Sequence, residues 1–378
     1  MTVSLFNHVR LLGIKTVIPE HFIDIDDELQ YFDNNPKKLA RAKKMMGYGR
    51  RYIADENTTV TDMAIDAAEK LFSEMNVDRN EIDLLVFVNQ KPDYSEPCDA
   101  CIAHGRLNLK KSCASININM GCSGWLYGLS AASGIMQGGG VKKCLVLAGD
   151  KATHKTKTEN RKGAPVFSDA ASATVLEYVQ DDVKSVFVLG SDGTGWDKII
   201  RPFGGVRLPF EKDNIDLSVT DDKGNVYTCQ QGIMQGEDVF NFTMEVAPAL
   251  LNETMETANW TSEEVDLFAI HQANKQILEN IIFKAGIPPE KVPVDVFSKY
   301  ANNSTNSVVT VLCDQPKDTA LNKVVLCTFG IGLSWSGAAL DLSGMYNGGI
   351  STYVSPKDRP TRAEQIQHWI NYFKGEEK

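Results

Sequence analysis

With 378 residues, the chain is long for one compact core, so two domains or two fused halves are expected. Hydrophobic residues at 43% and charged residues at 23% are ordinary for a globular protein and argue against a disordered, collagen-like or membrane-embedded chain. A net charge of −10 gives no electrostatic reason to bind nucleic acid, and an acidic protein partner would need a local basic patch.

The start, Met1 to Arg10, has no basic region followed by an apolar run, and no segment supplies the ~20 uninterrupted apolar residues of a membrane span. A cytoplasmic protein is expected. Eight cysteines are too dilute for a disulfide scaffold, and those inside apolar runs, such as Cys144 and Cys327, read as buried reduced thiols.

In chain order, an amphipathic helix is expected over 60–74. It is followed by Glu81-Ile-Asp-Leu-Leu-Val-Phe-Val-Asn-Gln90, an acidic start leading into an apolar strand. Cys98 and Cys101 then form a lone Cys-x-x-Cys without a second pair or a suitably spaced His, so a structural role is expected rather than a metal site. A short strand over 114–118 precedes Asn119-Met-Gly-Cys-Ser-Gly-Trp-Leu-Tyr-Gly-Leu-Ser130, which opens a helix running to about Met136. Next come a Lys-bearing strand, Lys143-Cys-Leu-Val-Leu-Ala-Gly149, and a small-residue strand, Ala171-Ser-Ala-Thr-Val-Leu-Glu177.

After a Gly- and Asp-rich excursion over 191–235 with Pro202 and Pro209, the same order returns. A helix over 238–258 leads to Glu264-Val-Asp-Leu-Phe-Ala-Ile-His-Gln272, then to Lys323-Val-Val-Leu-Cys-Thr-Phe-Gly330 and Gly337-Ala-Ala-Leu-Asp341. From Asp83 to Gly149 is 66 positions and from Asp266 to Gly330 is 64. Agreement of three elements in order and spacing marks an internal duplication. Apolar strands alternating with helices predict an α/β architecture of two similar halves, 1–180 and 181–345, with a C-terminal extension over 346–378 that ends in a helix over 361–373.

Cys122 lies at a strand-to-helix turn, where the helix dipole is expected to lower its pKa from ~8.5. Gly121 and Gly124 are expected to permit a tight turn and close approach of a substrate. The alternative reading is a small buried residue at a crowded junction. His271 is delivered at the carboxyl end of an apolar strand, where α/β proteins gather ligand and catalytic groups. Tyr300-Ala-Asn-Asn-Ser-Thr-Asn-Ser307 is a cluster of amides and hydroxyls in which any Asn could be a turn residue or helix cap.

Together these segments resemble the ketoacyl-acyl-carrier-protein synthase III family of the thiolase superfamily. The resemblance runs from about Leu12 to Leu342 through Gly49-Arg-Arg-Tyr-Ile53, Pro92-Asp-Tyr94, Gly121-Cys-Ser-Gly-Trp125, Phe167-Ser-Asp-Ala-Ala-Ser-Ala173, His271-Gln-Ala-Asn274, Tyr300-Ala-Asn-Asn-Ser304 and Phe329-Gly-Ile-Gly-Leu-Ser-Trp335. It implies a thiolase-like, duplicated αβαβα layered fold and an acyl-transferring, condensing enzyme. By the same resemblance Cys122 accepts the acyl group, and His271 and Asn302 bind the thioester carbonyl of a malonyl-type second substrate. The backbone N–H groups of Cys122 and Ile331 form an oxyanion hole, Phe329, Gly330 and Gly332 border the acyl site, and Arg161 and Asn274 contact the thioester or coenzyme A. Acyl thioesters of coenzyme A or a carrier protein are the implied substrates, with no metal or redox cofactor. A two-fold homodimer is implied, with 91–109 reaching towards the partner.

The sequence departs from the family at several points. Leu39-Ala-Arg-Ala-Lys-Lys-Met-Met-Gly47 lacks the tryptophan expected to stack on adenine and has Met45 where an arginine is expected. Gln276 and Asn241 replace basic residues of the carrier-docking patch, although Lys275 lies next door. These changes point to a specialised fatty-acid or secondary-metabolite pathway rather than housekeeping initiation. The same residues would serve acyl transfer to an oxygen, nitrogen or carbon nucleophile. A degradative thiolase needs a second catalytic Cys near the last glycine-rich turn, and a papain-like protease does not share the repeat. A non-catalytic paralogue is the remaining alternative.

Overall fold

A computed structural model of the chain describes residues 1–153, 163–222 and 224–376. The first half runs β1 (Thr2–Phe6), β2 (Val9–Pro19), β3 (Phe22–Asp24), α1 (Pro36–Met46), β4 (Arg50–Tyr52), α2 (Val60–Met75), β5 (Leu84–Val88), α3 (Asp99–Arg106), β6 (Ala114–Ile118), α4 (Gly124–Met136), β7 (Lys143–Asp150) and β8 (Ala170–Tyr178). The second begins with β9 (Ser185–Ser191). The short strands β10 (Ile199–Ile200), β11 (Ser218–Thr220), β12 (Val226–Thr228) and β13 (Ile233–Met234) follow in the excursion. It continues through α5 (Gly236–Ala258), β14 (Leu267–Ile270), α6 (Lys275–Ala285), α7 (Val296–Tyr300), α8 (Ser307–Cys313), β15 (Lys323–Gly330) and β16 (Ser334–Asp341). β17 (Tyr346–Tyr353) and α9 (Arg362–Lys374) complete the chain.

Local sequence explains many of these boundaries. Thr59 and Asp62 form a capping box at the start of α2, which satisfies donors that the first turn leaves open. Asn35 accepts from the N–H groups of Lys37 and Lys38 at the start of α1, with Pro36 in the first helical position. Among the described residues no helix is long and apolar enough to cross a membrane.

Two sheets carry the architecture, a six-stranded one ordered β17-β2-β8-β7-β5-β6 and a five-stranded one ordered β1-β9-β16-β15-β14. Alternation along each strand assigns its side chains to different layers. Leu84, Val86 and Val88 face α4 and α8 in the central layer, whereas Leu85 and Phe87 face α2 and α3 outside. On the second sheet Val324 and Leu326 face the centre, and Val325 and Cys327 face α5 and α6. The order is therefore αβαβα. The central helix α4 runs beside β5 at glycine distance, since a Cβ on Gly128 would stand 2.6 Å from Val88 Cγ2.

The duplication is visible in single hydrogen bonds. Asp83 Oδ2 accepts from the N–H groups of Lys142 at 2.8 Å and Lys143 at 3.3 Å. Asp266 Oδ2 accepts from those of Asn322 at 2.8 Å and Lys323 at 2.9 Å. Lys143 pairs with Glu81, and Lys323 pairs with Glu264. In both halves these contacts fix the start of a parallel strand pair, β5 with β7 and β14 with β15.

The chain ends cross between the halves. β1 joins the second sheet through β9, while β17 pairs in parallel with β2 of the first. Tyr346–Tyr353, expected to lie outside the repeat, is thus an edge strand of the first sheet. α9 has no buried residue.

Candidate active site

β6 ends at Ile118 and α4 begins at Gly124, so Cys122 lies in the connecting turn. The thiol is close-packed. A Cβ on Gly330 would stand 2.8 Å from both Cβ and Sγ of Cys122, which makes the end of β15 one wall of the site. Ser304 Oγ lies 3.9 Å from the sulfur, and the backbone N–H groups of Ile331 and Cys122 itself are also directed at it.

The expected low pKa is corrected here. Burial pushes the Cys122 thiol up to about 11, and the Asp150 carboxylate adds to the rise, against the opposing hydrogen bonds from Ser304, Ile331 and Cys122. Desolvation by the groups packed around this partly exposed residue outweighs the helix terminus. Gly121 and Gly124 form the expected tight turn, Gly124 N–H donating to Gly121 O at 2.7 Å, but the close approach they permit is to other parts of the protein. A Cβ on Gly121 would meet Ile331 Cγ2 at 2.4 Å and Gln90 Oε1 at 2.5 Å, and one on Gly124 would meet Val88 Cγ1 at 2.7 Å. Protein atoms, not substrate, fill that space.

His271 follows β14 directly and its N–H donates to Cys327 O at 2.8 Å. Its ring meets Phe329 edge-on at 5.4 Å between centroids, and Phe329 immediately precedes Gly330. The buried Nδ1 has no hydrogen-bond partner among the described residues. Burial lowers the imidazole pKa to about 4, so at neutral pH the ring is uncharged. Gln272 locks the adjoining turn: its N–H donates to Ser307 Oγ at 2.7 Å, and its side chain accepts from Phe297 N–H at 3.1 Å.

Three asparagines compete for one role, and their hydrogen bonds separate them. Asn303 Nδ2 donates to Thr310 Oγ1, and Asn306 Nδ2 donates to Thr310 Oγ1 and Thr16 Oγ1. Asn302 instead accepts from Ser304 N–H through Oδ1 at 2.9 Å, which orients its amide and leaves Nδ2 available to a substrate. The backbone around it is held in unusual geometry, with φ of 52° at both Ala301 and Ser304, a conformation that non-glycine residues keep only when their surroundings enforce it.

The clasp that enforces it explains the Phe167-Ser-Asp segment. Asn302 N–H donates to Val166 O at 3.0 Å, and Ser168 N–H donates to Asn302 O at 2.9 Å. Ser168 Oγ accepts from Tyr52 N–H at 2.8 Å, and the Asp169 carboxylate accepts from Ala54 N–H at 3.0 Å and Thr153 Oγ1 at 2.6 Å. Asp150, at the end of β7, accepts from Thr305 Oγ1 at 2.7 Å, and Thr305 Oγ1 also reaches Gly121 O at 3.0 Å. Sequence reasoning missed Ser304, Gln90 and Asp150. A buried carboxylate ending an apolar strand was the available signal for Asp150.

Of the remaining expected residues, Arg161 lies outside the described residues. Asn274 caps α6, accepting from Ile277 N–H at 2.9 Å, a structural use that its position in the motif did not reveal. Gly332 has φ of 143° in the turn joining β15 and β16. Gln276 and Asn241 are both exposed. Close to α6, α1 carries Lys37, Lys38, Arg41, Lys43 and Lys44 without an acidic residue. A Cβ on Gly47, its C-cap, would stand 2.9 Å from Lys275 Cβ.

The family model described as 3-oxoacyl-acyl-carrier-protein synthase III matches residues 116–193, and its C-terminal counterpart matches 255–342. A Campylobacter jejuni protein named "Putative 3-oxoacyl-acyl-carrier-protein synthase 3" is 36% identical over 93% of this chain and 99% of its own length. A beta-ketoacyl-acyl-carrier-protein synthase III of Clostridium perfringens is 29% identical over 89% of this chain and 99% of its own. The crystal structure of a 3-oxoacyl-acyl-carrier-protein synthase from Burkholderia xenovorans superposes with a TM-score of 0.83 at 30% identity, covering 93% of this chain and 99% of that one. The layered fold with its duplicated halves is that of the thiolase superfamily. Within it, the chain belongs to the 3-oxoacyl-acyl-carrier-protein synthase III family.

Proposed function

We propose that this enzyme stores an acyl group on Cys122 and condenses it with a malonyl-type thioester held by His271 and Asn302. The observation that carries the assignment is the meeting of the β15 turn and the Asn302–Ser304 segment at the Cys122 sulfur, with a Cβ on Gly330 2.8 Å and Ser304 Oγ 3.9 Å from it. In the first half-reaction the sulfur forms a bond to the acyl carbonyl carbon while the incoming thioester C–S bond breaks. The departing thiol takes the proton that Cys122 loses. Before that C–S bond breaks, the backbone N–H groups of Cys122 and Ile331 stabilise the oxyanion of the tetrahedral intermediate. Phe329, Gly330 and Gly332 border the acyl group, and the aromatic ring limits water access.

In the second half-reaction the malonyl C–carboxylate bond breaks, carbon dioxide leaves, and the electron pair remains as an enolate. Neutral His271 and Asn302 Nδ2 donate hydrogen bonds to its oxygen. The enolate carbon attacks the acyl carbonyl, a C–C bond forms, the C–S bond to Cys122 breaks, and the released thiolate takes up one proton from solvent. A His held near pKa 4 is a weak base at pH 7 and a competent neutral donor, which favours condensation over deprotonation of an alcohol or amine acceptor.

The basic face of α1 beside Lys275 supports delivery by a carrier protein or coenzyme A, with Arg161 as a further nucleotide contact. The uncharged Gln276 and Asn241, both exposed, support a specialised pathway. Homodimerisation is proposed through β6, the edge of the six-stranded sheet, whose unpaired strand edge is suited to continuation across a two-fold axis. The halves at 1–180 and 181–345 each supply part of the site.

Peptide mapping after incubation with an acyl thioester tests the assignment. The adduct is expected on Cys122 alone among the cysteines, and acylation of Cys122→Ala at the original rate would refute it.

A further inference from the structure

Of the eight cysteines, five are buried and Cys122 is intermediate, while Cys98 and Cys101 are both exposed. The structural role expected for this pair is therefore corrected, since neither thiol fills a core. Among the described residues no third side chain completes a metal site with them. What the fold provides instead is contact between the two sulfurs. Cys98 Sγ donates to Cys101 Sγ at 3.6 Å, and Cys101 Sγ lies 3.6 Å from Ser115 Oγ on β6. Neither half-reaction uses either thiol.

The first turn of α3 makes this contact. Cys98 is the N-cap, and its carbonyl accepts from the N–H groups of Cys101 at 3.0 Å and Ile102 at 3.4 Å, which sets side chains three residues apart on one face. The backbone between them is anchored. The buried Asp99 carboxylate accepts from Asn89 Nδ2 at 2.5 Å and Asp93 N–H at 3.0 Å, and Ala100 N–H donates to Asn117 Oδ1 at 3.0 Å. A disulfide holds its sulfurs about 2.05 Å apart, so the pair must close by roughly 1.5 Å, a distance that rotation about the two Cα–Cβ bonds covers while the turn stays in place. Ser115 is in register with Leu85, so the thiols lie on the outer, α3 face of the sheet and not along the strand edge of β6.

We propose that Cys98 and Cys101 form a reversible thiol–disulfide exchange site whose oxidant is a small soluble disulfide. One thiol of the pair, deprotonated, attacks a sulfur of the oxidant, the S–S bond of the oxidant breaks, and the departing thiol carries off the proton. The other cysteine then attacks the mixed disulfide at the protein sulfur, the Cys98–Cys101 bond forms, and the second small thiol leaves with the second proton. Two protein thiols are oxidised and one small disulfide is reduced to two thiols. The second step joins groups already in contact, so it outruns capture by another small molecule. A bridge exposed to solvent is reopened by the same exchange in reverse, which makes it labile rather than structural. Cys122 competes poorly, because burial pushes its thiol up to about 11 and leaves little thiolate at neutral pH.

Exposure of the reduced full-length enzyme to glutathione disulfide tests this, with acid quenching at timed intervals, alkylation of the unfolded chain and peptide mapping. The peptide holding Cys98 and Cys101 is expected to lose two hydrogens and escape alkylation, about tenfold or more faster than any adduct appears on Cys122, and to keep no glutathione. Dithiothreitol should restore both thiols. Cys98→Ser and Cys101→Ser should each stop at a mixed disulfide with glutathione on the cysteine that remains. Both positions are exposed, and the unsubstituted enzyme decides the outcome if a variant fails to fold. Lasting glutathione adducts on Cys98 or Cys101 of the unsubstituted enzyme overturn the proposal, because closure is then slower than capture. Thiols that stay reduced in the folded enzyme while the unfolded chain reacts overturn it as well, and so does reaction at Cys122 as fast as at the pair.

Discussion

Replacing Gly330 by Ala brings a methyl group against the nucleophile itself. The added Cβ would stand 2.8 Å from both Cβ and Sγ of Cys122, whereas carbon atoms rest at about 3.5–4.0 Å. Relief requires the thiol or the β15 turn to move by roughly 0.7–1.2 Å, and a misplacement of about 1 Å can cost on the order of 100-fold in rate. The φ of 158° at Gly330 adds strain for a side chain, about 1–3 kcal/mol by analogy with other sparsely populated conformations. Gly330→Ala should therefore remain folded with a Tm lowered by a few degrees, roughly, and acylate Cys122 about 100-fold more slowly. Intact-mass time courses with one thioester, paired with thermal unfolding, measure both effects. Acylation within about threefold of the original rate would refute the packing argument, because a 1 Å shift should cost far more.

Asn302→Ala should leave self-acylation of Cys122 nearly intact while depressing condensation on the order of 100-fold, the loss expected for one oxyanion donor; single-turnover assays of each half-reaction check this. The Cys122 thiol, pushed up to about 11, should alkylate with iodoacetamide about tenfold faster per pH unit from 7 to 9.5 without a plateau, and a plateau below pH 8.5 would contradict the desolvation argument. His271 has its folded pKa depressed to about 4, so the unfolded chain binds its proton first. Its contribution to stability is fully present above the unfolded pKa of about 6.5 and is lost as pH falls through about 4, a change on the order of 3 kcal/mol. Denaturant titrations should show that loss in the original protein and a smaller one in His271→Gln.

The duplicated architecture was legible because the residues that repeat are those that fix the strands. Asp83 and Asp266 tie down equivalent backbone donors, and Lys143 and Lys323 pair with equivalent glutamates, so the physical constraint leaves the same letters at the same spacing. The exchange of β1 and β17 between the halves was not legible. Strand partnership depends on distant register, and neither strand carries a mark of its neighbour. Cys122 and His271 stood out because each follows an apolar strand at a turn. The thiol's raised pKa did not, since its burial involves Gly330, remote in sequence, and part of its shift comes from Asp150. Asn302 was distinguishable from Asn303 only by resemblance, whereas their side-chain partners, Ser304 N–H and Thr310 Oγ1, separate them directly.

The measurement that bears most directly on the condensing reaction supplies enzyme already acylated on Cys122 with a carboxyl-labelled malonyl thioester and follows labelled carbon dioxide and product together. Release of carbon dioxide in step with formation of a 3-oxoacyl product, reduced on the order of 100-fold in Asn302→Ala, is the expected result. If no malonyl-type donor releases carbon dioxide while a non-malonyl acceptor takes the acyl group, condensation is wrong and simple acyl transfer replaces it.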